Sequence, residues 1–269
     1  MNILAIDTTT KTACVGIKKE NIQQNTFEII QRSISNEITH SEKLLPLIDS
    51  TLKEASLKLS DISLLASLSG PGSFTGIRIG LSTIKAFAQV KGLNIFAMTT
   101  LEAICYTSYL QSSFFKSFKP IYVLSLIDAK NDRIYFSLYK ISRNTIGKIT
   151  IKKISEMSNN LIKKASESIL HILENLDSTI PIIVAGDCSQ KFKNEILDVF
   201  LNPSNIENHN IKIQNNNNIY FVDLYPTPKD LISAYENLED ISNYMFDSYT
   251  LDATYARLSQ AERVKNENN

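Results

Sequence analysis

Short apolar runs that end in a polar or glycine turn alternate along this chain with stretches whose apolar positions recur three and four residues apart. The first kind reads as buried strand and the second as helix packed on one face. Ile3–Ile6 is a buried run closed by Asp7, Ala13–Lys18 reads as its return strand, and Phe27–Ile34 as a third. A helix from about His40, a strand at Ile62–Leu68, a helix from Phe74 to about Gln89, a strand at Asn94–Met98 and a helix from Leu101 follow. The plan then restarts. Ile121–Ile127 ends in Asp128, Arg133–Ile141 returns, Ile146–Ile154 makes a third strand, and a helix at Leu161–Leu176 precedes a strand at Ile180–Ala185 and a helix from about Gln190. Pro226 and Pro228 fit the start of one more helix, from about Asp230. Periodicity alone predicts an α/β chain with mixed sheets. The repeated plan predicts two lobes, residues 1–110 and 111–269, the second with an Asn-rich loop near 202–218 and a polar, disordered tail from about 263.

One segment stands apart. Ser69-Gly70-Pro71-Gly72-Ser73-Phe74-Thr75-Gly76-Ile77-Arg78-Ile79-Gly80 follows a strand, breaks it with glycine and proline, offers Ser73 as an N-cap and opens a helix. Ile77, Leu81, Ile84 and Ala88 form an apolar stripe on that helix, Gly76, Gly80 and Thr83 a stripe of small residues, and Arg78, Lys85 and Gln89 a polar one. A glycine turn before a helix is also a phosphate cradle. The spacing here nevertheless fits neither G-x-x-x-x-G-K-[ST], since no lysine follows Gly76, nor G-x-G-x-x-G, since position 75 is threonine. In the preceding helix, Leu44, Ile48, Leu52, Ala55 and Leu59 share a stripe with Leu45 beside it, and Pro46 is expected to bend the helix or shift its first turn.

Charge and composition narrow the function. The 269 residues carry 28 basic and 28 acidic side chains, so no net field draws the chain onto nucleic acid, and nucleic-acid binding by the lone chain is expected to be weak. Three separated cysteines, Cys14, Cys105 and Cys188, form no C-x-x-C pair and read as reduced, buried thiols. The chain opens directly on a strand without a leader pattern, which predicts a cytoplasmic protein.

Candidate chemistry is sparse. Asp7 and Asp128 close the first strand of each half, where a nucleotide-binding protein of this plan would hold a phosphate or its metal. After Asp7 come Thr8, Thr9 and Thr10, with no glycine to let backbone approach a phosphate, so Asp7, Thr8, Thr9 and Asp128 read as a vestigial nucleotide site or as turn caps. The three histidines, His40, His171 and His209, have no metal-ligand spacing, and no serine lies in a G-x-S-x-G elbow. Thr39-x-x-Glu42 is a capping box beside His40. No catalytic residue, metal or cofactor is assigned.

The landmarks together resemble the TsaB family, also called YeaZ. They are Ile3-Leu4-Ala5-Ile6-Asp7-Thr8-Thr9-Thr10 with Ala13-Cys14-Val15, His40 to Ile48, the Ser69–Gly80 segment, Thr99-Thr100-Leu101-Glu102-Ala103, Asp128 to Tyr135, and Tyr255 to Glu262. The resemblance implies an actin-like fold and a non-catalytic subunit of bacterial tRNA N6-threonylcarbamoyladenosine synthesis. Such a subunit pairs with the transferase TsaD, helps recruit the ATPase TsaE, meets tRNA only through the complex, and self-pairs when TsaD is absent. The catalytic paralogue carries a histidine pair that holds a metal, whereas Ile104-Cys105-Tyr106-Thr107-Ser108 here contains none. Carried onto this chain, the resemblance assigns partner binding to His40, Leu44, Leu45, Ile48, Leu52, Gly76, Gly80 and Thr83. An arginine at Gly80 is then expected to block the partner and spare the fold. Readings from other classes are a small-molecule kinase using Asp7 and Asp128 around MgATP, and a homodimeric scaffold unrelated to tRNA.

Overall fold

The computed structural model describes residues 1–35, 40–173, 176–201 and 218–255. Two compact units emerge, one formed by the described residues of 1–103 with 226–255 and the other by those of 104–225. In the first, strands β1 (Ile3–Asp7), β2 (Thr12–Asn21) and β3 (Thr26–Ser35) form an antiparallel meander. Strands β4 (Leu64–Leu68) and β5 (Ile95–Met98) extend it on the other side of β1, both parallel to it. With β12 (Met245–Phe246) on its edge, the sheet order is β12-β5-β4-β1-β2-β3.

Alternation along the strands decides which helix covers which face. Leu4 and Ile6 of β1 and Ala13, Val15 and Ile17 of β2 enter one core with Leu44, Leu47, Ile48 and Leu52 of α1 (His40–Glu54) and Ile77, Leu81, Ile84 and Ala88 of α2 (Phe74–Lys91). Gly16 points the other way, where Pro228 at the start of α7 (Pro228–Asn237) lies so close that a Cβ on Gly16 would sit 2.6 Å from it. α1 continues past Pro46, which has no N–H to donate to the Glu42 carbonyl four residues back.

The second unit repeats the order. β6 (Ile121–Asp128), β7 (Arg133–Arg143) and β8 (Ile149–Lys153) form the meander, and β10 (Ile182–Gly186) and β11 (Ile219–Asp223) lie parallel beyond β6, giving β11-β10-β6-β7-β8. Helices α5 (Ile162–Leu173) and α6 (Lys193–Leu201) belong to it, with Ala165, Ile169 and Ile196 in its core. The short strand β9 (Ser158–Leu161), which pairs with β7, has no apolar alternation to betray it. A bend at Ser112 divides the helix expected from Leu101 into α3 (Thr100–Gln111) and α4 (Ser113–Ser117). The Asn-rich loop and the polar tail fall outside the described residues.

The expected division at residue 110 differs from the structure at the C-terminal end, because residues 226–255 return to the first unit. β12 pairs with β5, Leu231 and Ile232 of α7 are buried, and Thr254 donates its N–H to the Ser69 carbonyl at 2.8 Å. Lys18, nearly buried, reaches Glu236 of α7. A fragment ending at residue 110 therefore lacks one whole cover of its sheet. It is expected to give no cooperative unfolding transition by circular dichroism, whereas a fusion of 1–103 to 226–255 through a short glycine linker is expected to give one.

Candidate functional site

The glycine-rich segment and the first hairpin turn meet in the first unit. Gly70 (φ +104°) and the cis Gly70–Pro71 bond lead out of β4, and Ser73 caps α2 by accepting the Gly76 N–H at 3.2 Å. Ser73 N–H donates to the Thr9 carbonyl at 2.7 Å, and the Thr8 hydroxyl donates to the Gly76 carbonyl at 2.6 Å. A Cβ would lie 2.4 Å from the Thr9 carbonyl oxygen at Gly72, 1.9 Å from the Thr8 carbonyl oxygen at Gly76 and 2.2 Å from the Thr8 hydroxyl at Gly80. Backbone thus packs directly on backbone, which only glycine permits. Gly76 and Gly80 are buried against this chain's own turn, not presented to another molecule. The partner assignment of Gly76 and Gly80 is accordingly corrected, and Gly80→Arg is expected to break the fold that it was expected to spare.

Much the same holds for α1. Leu44, Ile48 and Leu52 are 1%, 3% and 7% exposed and belong to the core, so their assignment to a partner is corrected too, while Leu45 is 54% exposed. Leu47, which is not in the stripe expected from the sequence, is buried with them. His40 opens α1, but its side chain and Thr39 of the capping box lie outside the described residues. Thr83 is half-buried and donates its hydroxyl back to the Ile79 carbonyl at 2.8 Å.

The outer arc of α2 was missed by the stripe reading. Between the glycine stripe and Arg78, Lys85 and Gln89 run Thr75, Ile79, Ser82, Thr83, Ala86 and Val90, an arc without one charge. Val90 is 84% exposed, and Thr75, Ser82 and Ala86 are exposed as well. The signal was present in the sequence as that lack of charge on a face facing neither sheet nor turn. Arg78 and Lys85 are instead engaged by the C-terminal strap: Arg78 Nε donates to the Tyr255 hydroxyl at 3.2 Å and its guanidinium lies 4.1 Å from the Phe74 ring centre, while Lys85 Nζ donates to the Leu251 carbonyl at 2.8 Å.

Both strand-end aspartates make hydrogen bonds within their own turns. Asp7 is 2% exposed, and its Oδ1 accepts the Thr9 N–H at 2.8 Å and the Thr9 hydroxyl at 2.6 Å. The N-terminal half of α2 packs against this Asx turn. At the matching place in the second unit, Asp128 accepts the Lys130 N–H at 2.8 Å and Lys191 Nζ at 3.1 Å. Burial works to raise the Asp128 carboxyl, but the hydrogen bonds from Lys130 and Lys191 and their charges outweigh it and hold it below its ordinary value. Lys191 is correspondingly raised by the same hydrogen bond. Lys130, Asn131 and Asp132 take left-handed backbone in succession to make this turn. Burial, then the charge of Asp7, pushes the Cys14 thiol up to about 12, and burial likewise raises Cys188, so neither is a poised nucleophile. Among the described residues no group of three or more His, Cys, Asp or Glu side chains could hold a metal. The Thr99–Ala103 landmark is structural: Glu102 accepts the Thr99 N–H and hydroxyl at 3.0 and 2.6 Å, a reciprocal cap at the head of α3.

Two units of one strand order, each a three-stranded meander extended by parallel strands, define the duplicated, RNase H-like α/β class to which actin-like proteins belong. A family model described as TsaD, tRNA N6-adenosine threonylcarbamoyltransferase, matches residues 29–207. The tRNA threonylcarbamoyladenosine biosynthesis protein TsaB of Buchnera aphidicola subsp. Baizongia pistaciae is 32% identical over 170 residues, 63% of this chain and 70% of that protein. TsaB of Escherichia coli is 30% identical over 146 residues, 54% of this chain. The matches span 58% and 53% of the lengths of the Escherichia coli and Haemophilus influenzae proteins. YeaZ from Pseudomonas aeruginosa, a solved structure 18% identical, covers 94% of this chain and 99% of its own with a TM-score of 0.67, which shows the shared fold. The chain belongs to the TsaB (YeaZ) family.

Two outcomes follow from this geometry. Gly76→Ala is expected to lower the urea midpoint, by about 1–3 kcal/mol of stability, because its Cβ meets carbonyl oxygen and not a yielding side chain; an unchanged midpoint would contradict the close packing. For the second turn, the depressed Asp128 carboxyl contributes stability above its unfolded value of 3.8 that is lost as pH falls through its lower folded value. Lys191→Met is expected to move the Asp128 carboxyl titration, followed by carbon-detected NMR, upward, and an unmoved titration would show that Lys191 does not hold it down.

Proposed function

We propose that this chain is a non-catalytic subunit of tRNA N6-threonylcarbamoyladenosine synthesis that holds a TsaD-type transferase through the outer arc of α2. The observation that carries this reading is that arc: Ser82, Ala86 and Val90 exposed and Ile79 and Thr83 half-buried beside them, uncharged along three turns, with exposed Leu45 on the neighbouring helix α1. Isolated apolar residues on a surface need no explanation, but a charge-free helical face rimmed by Arg78, Lys85 and Gln89 has the make-up of an interface core with a polar rim. Small Ala86 and Ser82 at its centre allow a second helix to come close.

The partner's identity is supported from two directions. The relatives are named for tRNA threonylcarbamoyladenosine biosynthesis, and the TsaD model itself matches this chain, so chain and transferase are paralogues of one fold. Paralogues can meet through equivalent helices in a pseudo-twofold pair, and a second copy of this chain can take the same place when the transferase is absent. The filled turn behind Asp7 and the Lys191 ion pair on Asp128 support a role outside the chemistry. Threonylcarbamoyl transfer and tRNA contact then fall to the partner, and TsaE joins the assembled pair. Balanced charge fits a subunit that meets tRNA only in the complex.

Ala86→Arg tests this directly. It places a cation in the centre of the arc, facing solvent in the free chain, and is expected to leave the circular dichroism and thermal midpoint unchanged. Co-elution with the purified TsaD-type paralogue on size exclusion is expected to be lost, since an unpaired charge in a desolvated contact weakens binding by about two orders of magnitude or more. Full co-elution of Ala86→Arg would place the partner elsewhere on the molecule.

A further inference from the structure

The outer edge of β3 is paired with no strand among the described residues, although β3 runs for ten residues in unbroken register with β2, without bulge or proline. Folded proteins usually blunt so long an edge, by shortness, by proline, by a bulge, by charge or by covering it, and of these β3 carries only charge, at Glu28 and Arg32. The opposite edge of the same sheet obeys that rule, being the two-residue strand β12, and the edge strands β11 and β8 of the second unit have five residues each. Alternation sends Glu28, Ile30, Arg32 and Ile34 to the α1 face, where Arg32 pairs with Glu54 of α1 and Ile30 enters the core. Phe27, Ile29 and Gln31 lie on the other face, where the Lys18 ammonium is 4.6 Å from the Phe27 ring centre and Lys229 N–H donates to Gln31 at 3.2 Å.

We propose that this edge is a site of self-association, on which β3 of a second copy pairs antiparallel about a twofold axis at Ile30. The sequence of the strand selects that register. With the axis at residue 30, Glu28 stands opposite Arg32 of the second copy and Arg32 opposite its Glu28, both on the α1 face, with Phe27 opposite Ser33 and Ile30 opposite itself. Moving the axis by one residue sets Glu28 opposite Ile30 or Ile34, and moving it by two sets Glu28 or Arg32 against its own copy. One register alone therefore makes two ion pairs, and the neighbouring ones make none or a repulsion. Glu28 is exposed and has no ion pair within its own chain among the described residues.

The shape beside the edge agrees. A groove of about 480 Å³ opens there, lined by Arg32, Ser33 and Ile34 of β3 and by Lys43, Pro46 and Ser50 of α1. An antiparallel edge pair has its twofold axis perpendicular to the sheet, so α1 of the second copy comes to the same side of the joined sheet and covers the groove. This self-pairing uses other residues than the α2 arc and does not rest on the function proposed above.

Charge exchange in the Ala86→Arg background, where the α2 arc is blocked, tests it by sedimentation equilibrium and light scattering. Ala86→Arg alone is expected to dimerise across the micromolar range. Adding Glu28→Arg, which sets two arginine pairs face to face, is expected to weaken the dimer about tenfold or more, and adding Arg32→Glu to that variant is expected to restore it. Circular dichroism confirms that each variant is folded, and the restored double exchange shows that neither side chain is needed for folding. A monomeric Ala86→Arg chain, or a dimer indifferent to Glu28→Arg, would overturn the proposal.

Discussion

Everything in the first unit is organised by the contact between the N-terminal half of α2 and the turn that joins β1 to β2. Backbone meets backbone there, with the Thr8 hydroxyl on the Gly76 carbonyl and the Ser73 amide on the Thr9 carbonyl, and three glycines, Gly72, Gly76 and Gly80, leave the room. The contact fixes the rotation of α2 about its axis. Ile77, Leu81, Ile84 and Ala88 then fall onto the sheet, and the charge-free arc from Thr75 to Val90 falls outward. One packing constraint thus sets both the buried and the outward side of the helix.

The two strand-end aspartates show how related positions come to different ends. Asp7 is drawn into its own turn by Thr9 and is nearly buried. Asp128 stays more open and is neutralised by Lys191, with Lys130 close by. Each carboxylate is satisfied by its own chain, by hydroxyl and amide in the first case and by amide and ammonium in the second. Both carboxylates finish turns.

Most of the strand and helix plan was legible because apolar runs closed by turn residues, as at Ile3–Asp7 and Ile121–Asp128, leave little choice of element. The elements that escaped carry no such pattern. β9 is Ser-Asn-Asn-Leu, and β12 is two residues long. The return of the C-terminal segment to the first unit is a long-range pairing, and local pattern says nothing about which sheet an added strand or helix will join. The site was half legible. The small-residue stripe of α2 was visible, but whether small residues face a partner or the chain's own backbone depends on what lies opposite them, and the Thr8–Thr9 turn comes from sixty-odd residues earlier. The same limit turned Leu44, Ile48 and Leu52 from partner residues into core.

The claim on which the account turns is that α2 buries its glycine stripe inward and offers its outer arc to the transferase. Thiol protection reads both sides of it at once: a single cysteine placed at Ala86, and in a separate variant at Thr26 on β3, is labelled with a maleimide in the free chain and in the presence of the purified TsaD-type paralogue, with the unsubstituted chain as the background for Cys14, Cys105 and Cys188. The account predicts rapid labelling at both positions in the free chain at a concentration too low for self-association, and protection at position 86 alone when the paralogue is bound at that concentration. Equal labelling at position 86 with and without the paralogue, in a mixture that co-elutes, would contradict it.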